Sequence, residues 1–254
     1  MKIVASIEAR MGSSRLPGKT MKKILGRPML ELMIERVQDS KEIDDIVIAT
    51  SSSKSDDVIQ ELTSKLDVNC FRGSEDDVLD RVLNAAKMVK ADTILELWGD
   101  CPLIDPEILD KLISFYKNND VDCSGTVLPN FKKQFPLGIS ALIFSTDILD
   151  DVARITNSLE DRENVSNYIY EHPELYKIVP LPCPPELNFP NLRLVVDEER
   201  DFELIKNIFE GLYPQDPHFG TLKIIEFLNN NPSLKDLNKD VVQRRLSSWD
   251  KFNN

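Results

Sequence analysis

The chain has 254 residues, with 31 basic and 43 acidic side chains and a net charge of −12. That length suits one large domain, and 41% hydrophobic against 29% charged residues describes an ordinary globule with a sizeable core. So acidic a chain is a poor partner for nucleic acid or an anionic membrane, since both need a basic face. Four cysteines without a CxxC pair, and only His172 and His218 beside them, argue against a zinc centre and demand no oxidising compartment. The apolar run Ile3–Ile7 stops at Glu8, too soon for a signal peptide or a membrane span, so the cytoplasm is the expected address.

In chain order, Lys2–Ala9 reads as a strand, and Pro28 opens a helix with Leu30, Met33, Ile34 and Val37 on one face. Asp45–Thr50 is a β-branched strand, followed by a helical stretch over Ser55–Leu66 and a short strand over Val68–Phe71. Ser74 is placed to cap a helix whose first turn is Glu75, Asp76 and Asp77. Thr93–Trp98 is strand again, and Asp105 caps a helix starting at Pro106. This rhythm predicts a parallel sheet with right-handed crossovers and helices on both faces. Val121–Val127 and Gly138–Ser145 then read as an antiparallel pair projecting from that sheet. Helices are expected over Thr146–Ile155 and Asp161–Glu171, a strand over Leu192–Val196 and a helix over Glu199–Leu212. A last helix and a polar tail fill 219–254.

Charge is unevenly spread. Between Ala9 and Leu30 there are six basic residues (Arg10, Arg15, Lys19, Lys22, Lys23, Arg27) and no acid, leaving −18 for the remainder. A basic island of that size suits a small polyanion, or is simply a solvated loop. Within it runs Ala9-Arg10-Met11-Gly12-Ser13-Ser14-Arg15-Leu16-Pro17-Gly18-Lys19-Thr20, where small residues let backbone N–H groups approach phosphate oxygens. It is not a Walker A loop: five residues separate Gly12 from Gly18 where that motif has four.

Asp100 follows the strand Thr93–Trp98, and Asp197 follows Leu192–Val196. Ligands of open parallel sheets bind outside the carboxyl ends of strands, and two carboxylates meeting a phosphate chain there make a Mg²⁺ site. Alternatively, Asp197 caps the following helix and Asp100 stabilises the turn before Pro102. Thr50 and Ser51 end the second strand and are candidates for contact with a base. Arg81 is a nucleotide ligand or a helix-surface charge paired to Asp77. Cys101 reads as a buried neutral thiol sooner than a nucleophile, with no histidine near it in sequence.

These residues together resemble a known family. Ile7–Lys19 (IEARMGSSRLPGK), Gly26-Arg27-Pro28-Met29, Ala49-Thr50-Ser51, Phe71–Arg81 (FRGSEDDVLDR) and Gly99–Asp105 (GDCPLID) are similar to the spore-coat polysaccharide (SpsF-like) cytidylyltransferases. That family is related to the synthetases of CMP-activated sialic-type and ketodeoxyoctonate sugars. Asp161–Val165 (DRENV), Val196–Phe202 (VDEERDF) and Asn231–Asn238 (NPSLKDLN) extend the resemblance over nearly the whole chain. It implies a single α/β domain with the Rossmann-like, GT-A-like three-layer nucleotidyltransferase fold, and a mostly parallel sheet. Residues 121–145 would be a small antiparallel extension, a candidate for homodimer contact. The implied reaction attacks the α-phosphate of CTP with an acceptor oxygen and releases pyrophosphate, assisted by Mg²⁺ or Mn²⁺.

On this resemblance Arg10, Arg15 and Lys19 act on the triphosphate. Ala9, Met11, Gly12, Ser13, Ser14, Thr50, Ser51 and Arg81 complete the nucleotide site, and Asp100 and Asp197 hold the metal. Gly138, Ser140, Arg162, Glu163 and Asn164 are carried over as acceptor residues. The chain also departs from the pattern. The family often has glutamine at Glu8 and histidine at Asn164, and commonly reads Gly-Leu-Asp-x-Glu where Gly138-Ile139-Ser140-Ala141-Leu142 stands. The resemblance implies an acidic sugar or related anionic metabolite as acceptor, while the loss of two acids favours one carrying more negative charge, such as a carboxylate, phosphate or phosphonate, with standard sialic-type sugars as poor substrates. Two other readings compete. A nucleotide-sugar glycosyltransferase would need an Asp-x-Asp motif, and Gly99-Asp100-Cys101 lacks the second acid. A non-catalytic nucleotide binder would be marked by loss of Asp100, Asp197 or Lys19, and all three are present.

Overall fold

A computed structural model describes residues 1–243 of the chain; the end of the polar tail, 244–254, lies outside the described residues. In order, the elements are β1 (Ile3–Glu8), the hairpin β2 (Lys23–Ile24) and β3 (Arg27–Pro28), α1 (Met29–Gln38), β4 (Asp45–Ser51), α2 (Asp57–Lys65) and β5 (Asn69–Gly73). Next come α3 (Val78–Met88), β6 (Thr93–Trp98), α4 (Pro106–Asn118), β7 (Cys123–Gly125), β8 (Leu142–Ser145), α5 (Thr146–Ile155), α6 (Leu159–Glu163) and α7 (Asn167–Glu171). The described part closes with β9 (Ile178–Pro180), α8 (Glu199–Leu212), α9 (Thr221–Asn230) and α10 (Pro232–Lys235).

Seven strands form one sheet in the order β5-β4-β1-β6-β8-β7-β9. β1 pairs in parallel with both β4 and β6, and β4 with β5. β8 alone runs against its neighbours, β6 and β7. The chain therefore steps outward from β1 to β5, then returns to the other side of β1 with β6. That reversal opens a crevice above the carboxyl ends of β1 and β6, where ligands of such sheets bind.

Strand pleating sorts the side chains into two cores. Ile3, Ala5 and Ile7 of β1 and Leu95 and Leu97 of β6 pack with α1, α4, α8 and α9. Val4 and Ile94 pack with Val78–Ala86 of α3 and with Leu149 and Val152 of α5. Alternation then assigns Ser6, Glu8 and Glu96 to this second face, with Ser6 opposite Glu96 across the ladder. An Ile or Leu wholly withdrawn from water contributes ~1.5–3 kcal/mol, so polar residues interrupting such a layer are conspicuous.

Several boundaries differ from the sequence expectation. Asp77, not Ser74, caps α3 by accepting Asp80 N–H at 3.0 Å, while Ser74 Oγ accepts Asp77 N–H in the preceding turn. The helix expected over 161–171 is split into α6 and α7. Buried Asp161 holds the break by accepting from Thr156 Oγ1 and Asn167 Nδ2 at 2.5 and 2.6 Å. The expected antiparallel pair is present, shortened to β7 and β8, and lies inside the main sheet instead of projecting from it. Leu192–Val196 is not a strand of that sheet. It makes one bridge, Leu137 to Arg193, because Arg193 turns inward to acids of the next segment. No helix among the described residues is long and apolar enough to cross a membrane.

Candidate active site

The loop after β1 folds back on itself. Gly18 N–H and Ser13 N–H both donate to Met11 O at 2.9 Å, and Ser13 Oγ accepts Leu16 N–H. Gly18 sits at φ 70°, a left-handed conformation that glycine adopts without the clash a Cβ brings, and it launches a short turn over Lys19–Met21. Gly12, Ser14 and Arg15 remain exposed on this turn, while Ala9 is buried beneath it.

The Lys19 side chain leaves this turn and crosses the crevice. Its Nζ lies 3.0 Å from Asp100 Oδ2 and 3.4 Å from Asp197 Oδ1, and donates to Val196 O at 2.6 Å. Burial would pull its pKa down, but Asp100 and Asp197 outweigh it and hold the group above the ordinary lysine value. Arg15 Nη2 also reaches Asp197 Oδ1, at 2.9 Å. Two cations of the N-terminal loop and two acids from distant segments thus meet at one point. Lys19 is not part of a simply solvated loop: its side chain retains 12% exposure and is fixed by both acids.

Asp197 is not a helix cap. α8 is capped by Glu198 in a reciprocal box with Asp201. Arg193 donates to Asp197 Oδ2 at 2.8 Å and to both Asp201 oxygens at 2.9 and 3.0 Å. Asp201, wholly buried, also accepts from Asp197 N, Glu198 N and Asn238 Nδ2. Burial alone would raise its pKa; those donors hold it below the usual carboxylate range. Arg193 and Asp201 therefore fix the position of Asp197. Sequence reading missed both, though an acid three residues into a helix was a readable capping signal.

Thr50 and Ser51 lie at the crevice but turn inward. Both hydroxyls donate to Asp56 Oδ2, at 3.1 and 2.6 Å, and Met11 N–H donates to Asp56 Oδ1 at 2.8 Å. Asp56 ties the end of β4 to the loop after β1, and its donors keep its pKa low against the effect of burial. No spacing signal marked it beyond the serines around it. Arg81 is buried and does not pair with Asp77; its Nη1 donates to the carbonyls of Ser74 and Glu75. Glu75 in turn meets Arg10 at 3.5 Å and lies 2.9 Å from where a Cβ on Gly12 would stand. Cys101 is buried, its thiol pushed well up by burial and then by Asp100, so it is a neutral thiol and no nucleophile.

Beside Asp100 a cavity of about 620 Å³ opens on the second face of the sheet. Ser140, Glu163 and Asn164 of the acceptor set line it. Gly138 and Arg162 do not. Gly138, at φ 104°, packs so closely on Leu194 that a Cβ would fall 2.5 Å from its carbonyl. Arg162 donates to Ala153 O and pairs with Asp77. The cavity is not depleted of acids as the missing Gly-Leu-Asp-x-Glu pattern implied: Glu8, Glu96, Asp100, Glu160 and Glu163 all line it. Glu96 was missed in sequence, although a glutamate inside the apolar run TILELW was a visible anomaly.

Comparison with known proteins gives the family. Residues 4–243 match the family described as Cytidylyltransferase. An uncharacterized protein of Methanocaldococcus jannaschii is 38% identical, over 96% of this chain and 97% of its own. The spore coat polysaccharide biosynthesis protein SpsF of Bacillus subtilis is 36% identical, over 91% and 95% respectively. The solved structure of a cytidylyltransferase from Leptospira borgpetersenii superposes with a TM-score of 0.86 at 31% identity, covering 96% of this chain and all of that one.

Proposed function

The chain belongs to the cytidylyltransferase family, and from that premise we propose that it transfers CMP from CTP to a hydroxyl-bearing acceptor of polysaccharide or glycoconjugate synthesis. The acceptor oxygen forms the new bond to the α-phosphorus while the bond to the pyrophosphate oxygen breaks, and the acceptor gives up its hydroxyl proton. Such a step asks a protein chiefly for positioning and charge neutralisation. Arg10, Arg15 and Lys19 are the donors for the triphosphate, and the exposed Gly12 and Ser14 offer backbone N–H groups beside them. Asp56, Thr50 and Ser51 keep that turn in place from below.

The observation that carries the reading is the meeting of Lys19, Arg15, Asp100 and Asp197 at the crevice between β1 and β6. Asp100 and Asp197 are hard oxygen donors converging on one positive charge, the donor chemistry of Mg²⁺ or Mn²⁺. That ion, when bound, would neutralise charge on the phosphate oxygens. We take the working enzyme to be a cytoplasmic homodimer.

Pyrophosphate release measured with each of the four NTPs tests the reading. Turnover with CTP and Mg²⁺, and little with ATP or GTP, is expected; comparable turnover with a purine nucleotide overturns it.

A further inference from the structure

Asn238 ends the stretch Asn231–Asn238, to which the transfer reaction described above gives no task. It follows α10, far along the chain from the crevice, yet it is 4% exposed and bonded to both residues that hold Asp197. Its Nδ2 donates to Asp201 Oδ1 at 2.8 Å and to Arg193 O at 3.2 Å. Turned the other way, the amide would set its oxygen against a carboxylate and a carbonyl, so the nitrogen belongs on this side. Val241 N–H donates to Asn238 O at 3.0 Å, and Arg193 Nη1 donates to Gln243 Oε1. The segment beyond α10 therefore closes over the Arg193–Asp201 pair.

What that pair does decides which edge of Asp197 is left for the crevice. Arg193 presents the fork of Nε and Nη2 to Asp201, at 2.9 Å to Oδ1 and 3.0 Å to Oδ2. Its Nη2 also reaches Asp197 Oδ2, at 2.8 Å. Asp197 Oδ1 meets instead Arg15 at 2.9 Å and Lys19 at 3.4 Å. A guanidinium binds a carboxylate best with two prongs. With the fork on Asp201 the charge of Arg193 is balanced there, and Asp197 keeps its own negative charge for the crevice. Were the fork to pass to Asp197, that carboxylate would be neutralised from behind. Asp201 keeps the fork because its oxygens are fixed, Oδ2 by the N–H groups of Asp197 and Glu198 and Oδ1 by Asn238.

We propose that Asn238 is a positioning residue for the transfer. It holds Asp201 and the Arg193 carbonyl so that the Arg193 fork stays on Asp201 and Asp197 Oδ1 stays directed at the crevice. The proposal rests on the cytidylyltransfer reading, with Asp197 as an acid that holds the divalent cation.

The test measures Mn²⁺ binding to the full chain in the presence of the α,β-methylene analogue of CTP, read from the electron paramagnetic resonance signal of the free ion. It compares the unaltered chain with Asn238→Ala, Asp197→Asn and Val241→Ala. Val241, buried in the same segment, is the control for a merely structural loss. Asn238→Ala is expected to weaken Mn²⁺ binding about tenfold or more, the usual cost of removing a group that orients a metal-holding side chain. It should leave metal-free affinity for the analogue unchanged, and raise the Mg²⁺ needed for half-maximal turnover more than it lowers kcat at saturating Mg²⁺. Val241→Ala is expected to lower the melting temperature and leave Mn²⁺ affinity as it was. Asn238→Ser keeps one donor and should recover part of the loss; it carries the comparison should Asn238→Ala not fold. Mn²⁺ affinity in Asn238→Ala equal to that of the unaltered chain, or lowered no more than in Val241→Ala, overturns the proposal alone. Failure of the unaltered chain to bind the analogue refutes cytidylyltransfer, and undiminished Mn²⁺ binding by Asp197→Asn removes Asp197 from the metal; either overturns the proposal through its premise.

Discussion

The two sides of the crevice are built on opposite electrostatic plans. One side is a local loop, residues 9–20, whose Arg15 and Lys19 meet acids from the turn after β6 and from the segment before α8. The other, beside Asp100, is drawn from β1, β6, residues 127–142, α6 and Val195, and gathers Glu8, Glu96, Glu160 and Glu163. On the proposed reaction the loop neutralises a triphosphate, and its cations stand close together along the chain. The second side collects its acids from distant segments, so it shows less of itself in the sequence.

The largest effect is expected where the two sides share a support. Asp201→Ala removes one of the two acids on buried Arg193 and half of the capping box of α8 together, and should cost about 3–5 kcal/mol of stability. Denaturant titration checks this; a loss under 1 kcal/mol would mean that Asp197 is held by other means. Next, Lys19→Ala and Arg15→Ala should each lower kcat/KM by about 10²–10³, the worth of a donor at a phosphoryl transition state. They should differ in melting. Lys19→Ala leaves Asp100 and Asp197 without a central cation and should lose about 1–3 kcal/mol, whereas Arg15, 31% exposed, should cost under about 1 kcal/mol. Equal melting shifts would return both residues to one structural class.

Asp56→Ala should act more gently, through the loop it anchors. Losing the acceptor of Met11 N–H, Thr50 and Ser51 is expected to cost about 1–2 kcal/mol and to raise KM for CTP more than it lowers kcat. Steady-state kinetics with CTP varied decides, and a pure kcat effect would count against an anchoring role. The last effect concerns acidity in the cavity beside Asp100. Burial on folding pushes the Glu8 carboxyl up from 4.5 to about 7, so the folded chain binds the extra proton between those values. Stability from this group is full below about pH 4.5 and is lost as pH rises through 7. Melting temperature should therefore fall from pH 5 to pH 8 through this group, and Glu8→Gln should flatten that slope. An unchanged slope in Glu8→Gln would remove Glu8 from the titrating pair.

Much of this molecule was legible before any coordinates. The alternation of β-branched runs with amphipathic stretches gave the parallel sheet, because burial on both faces leaves the strand cores apolar and because crossovers need helices. The loop at 9–20 was legible for a different reason: phosphate chemistry needs small residues and cations close together along the chain, and proximity in sequence is what a sequence displays. Asp100 and Asp197 were found through position, each standing at the end of an apolar run.

What remained hidden depended on contacts between distant segments. Leu192–Val196 has the composition of a strand, yet Arg193 within it is captured by Asp197 and Asp201, and that capture outweighs a β-propensity worth at most about 1 kcal/mol. The fate of the hydroxyls at Thr50 and Ser51 turned on Asp56, which composition does not distinguish from any other acid in a polar turn. Above all, the meeting of Glu8 and Glu96 could not be read. Glu8 and Glu96 are 88 residues apart in the chain, and only the register of β1 against β6 makes them neighbours in one cavity. Sequence alone displayed one loop in which small residues and cations stand close together. The tertiary fold decided which acids oppose one another, because their charge state follows from burial and distance.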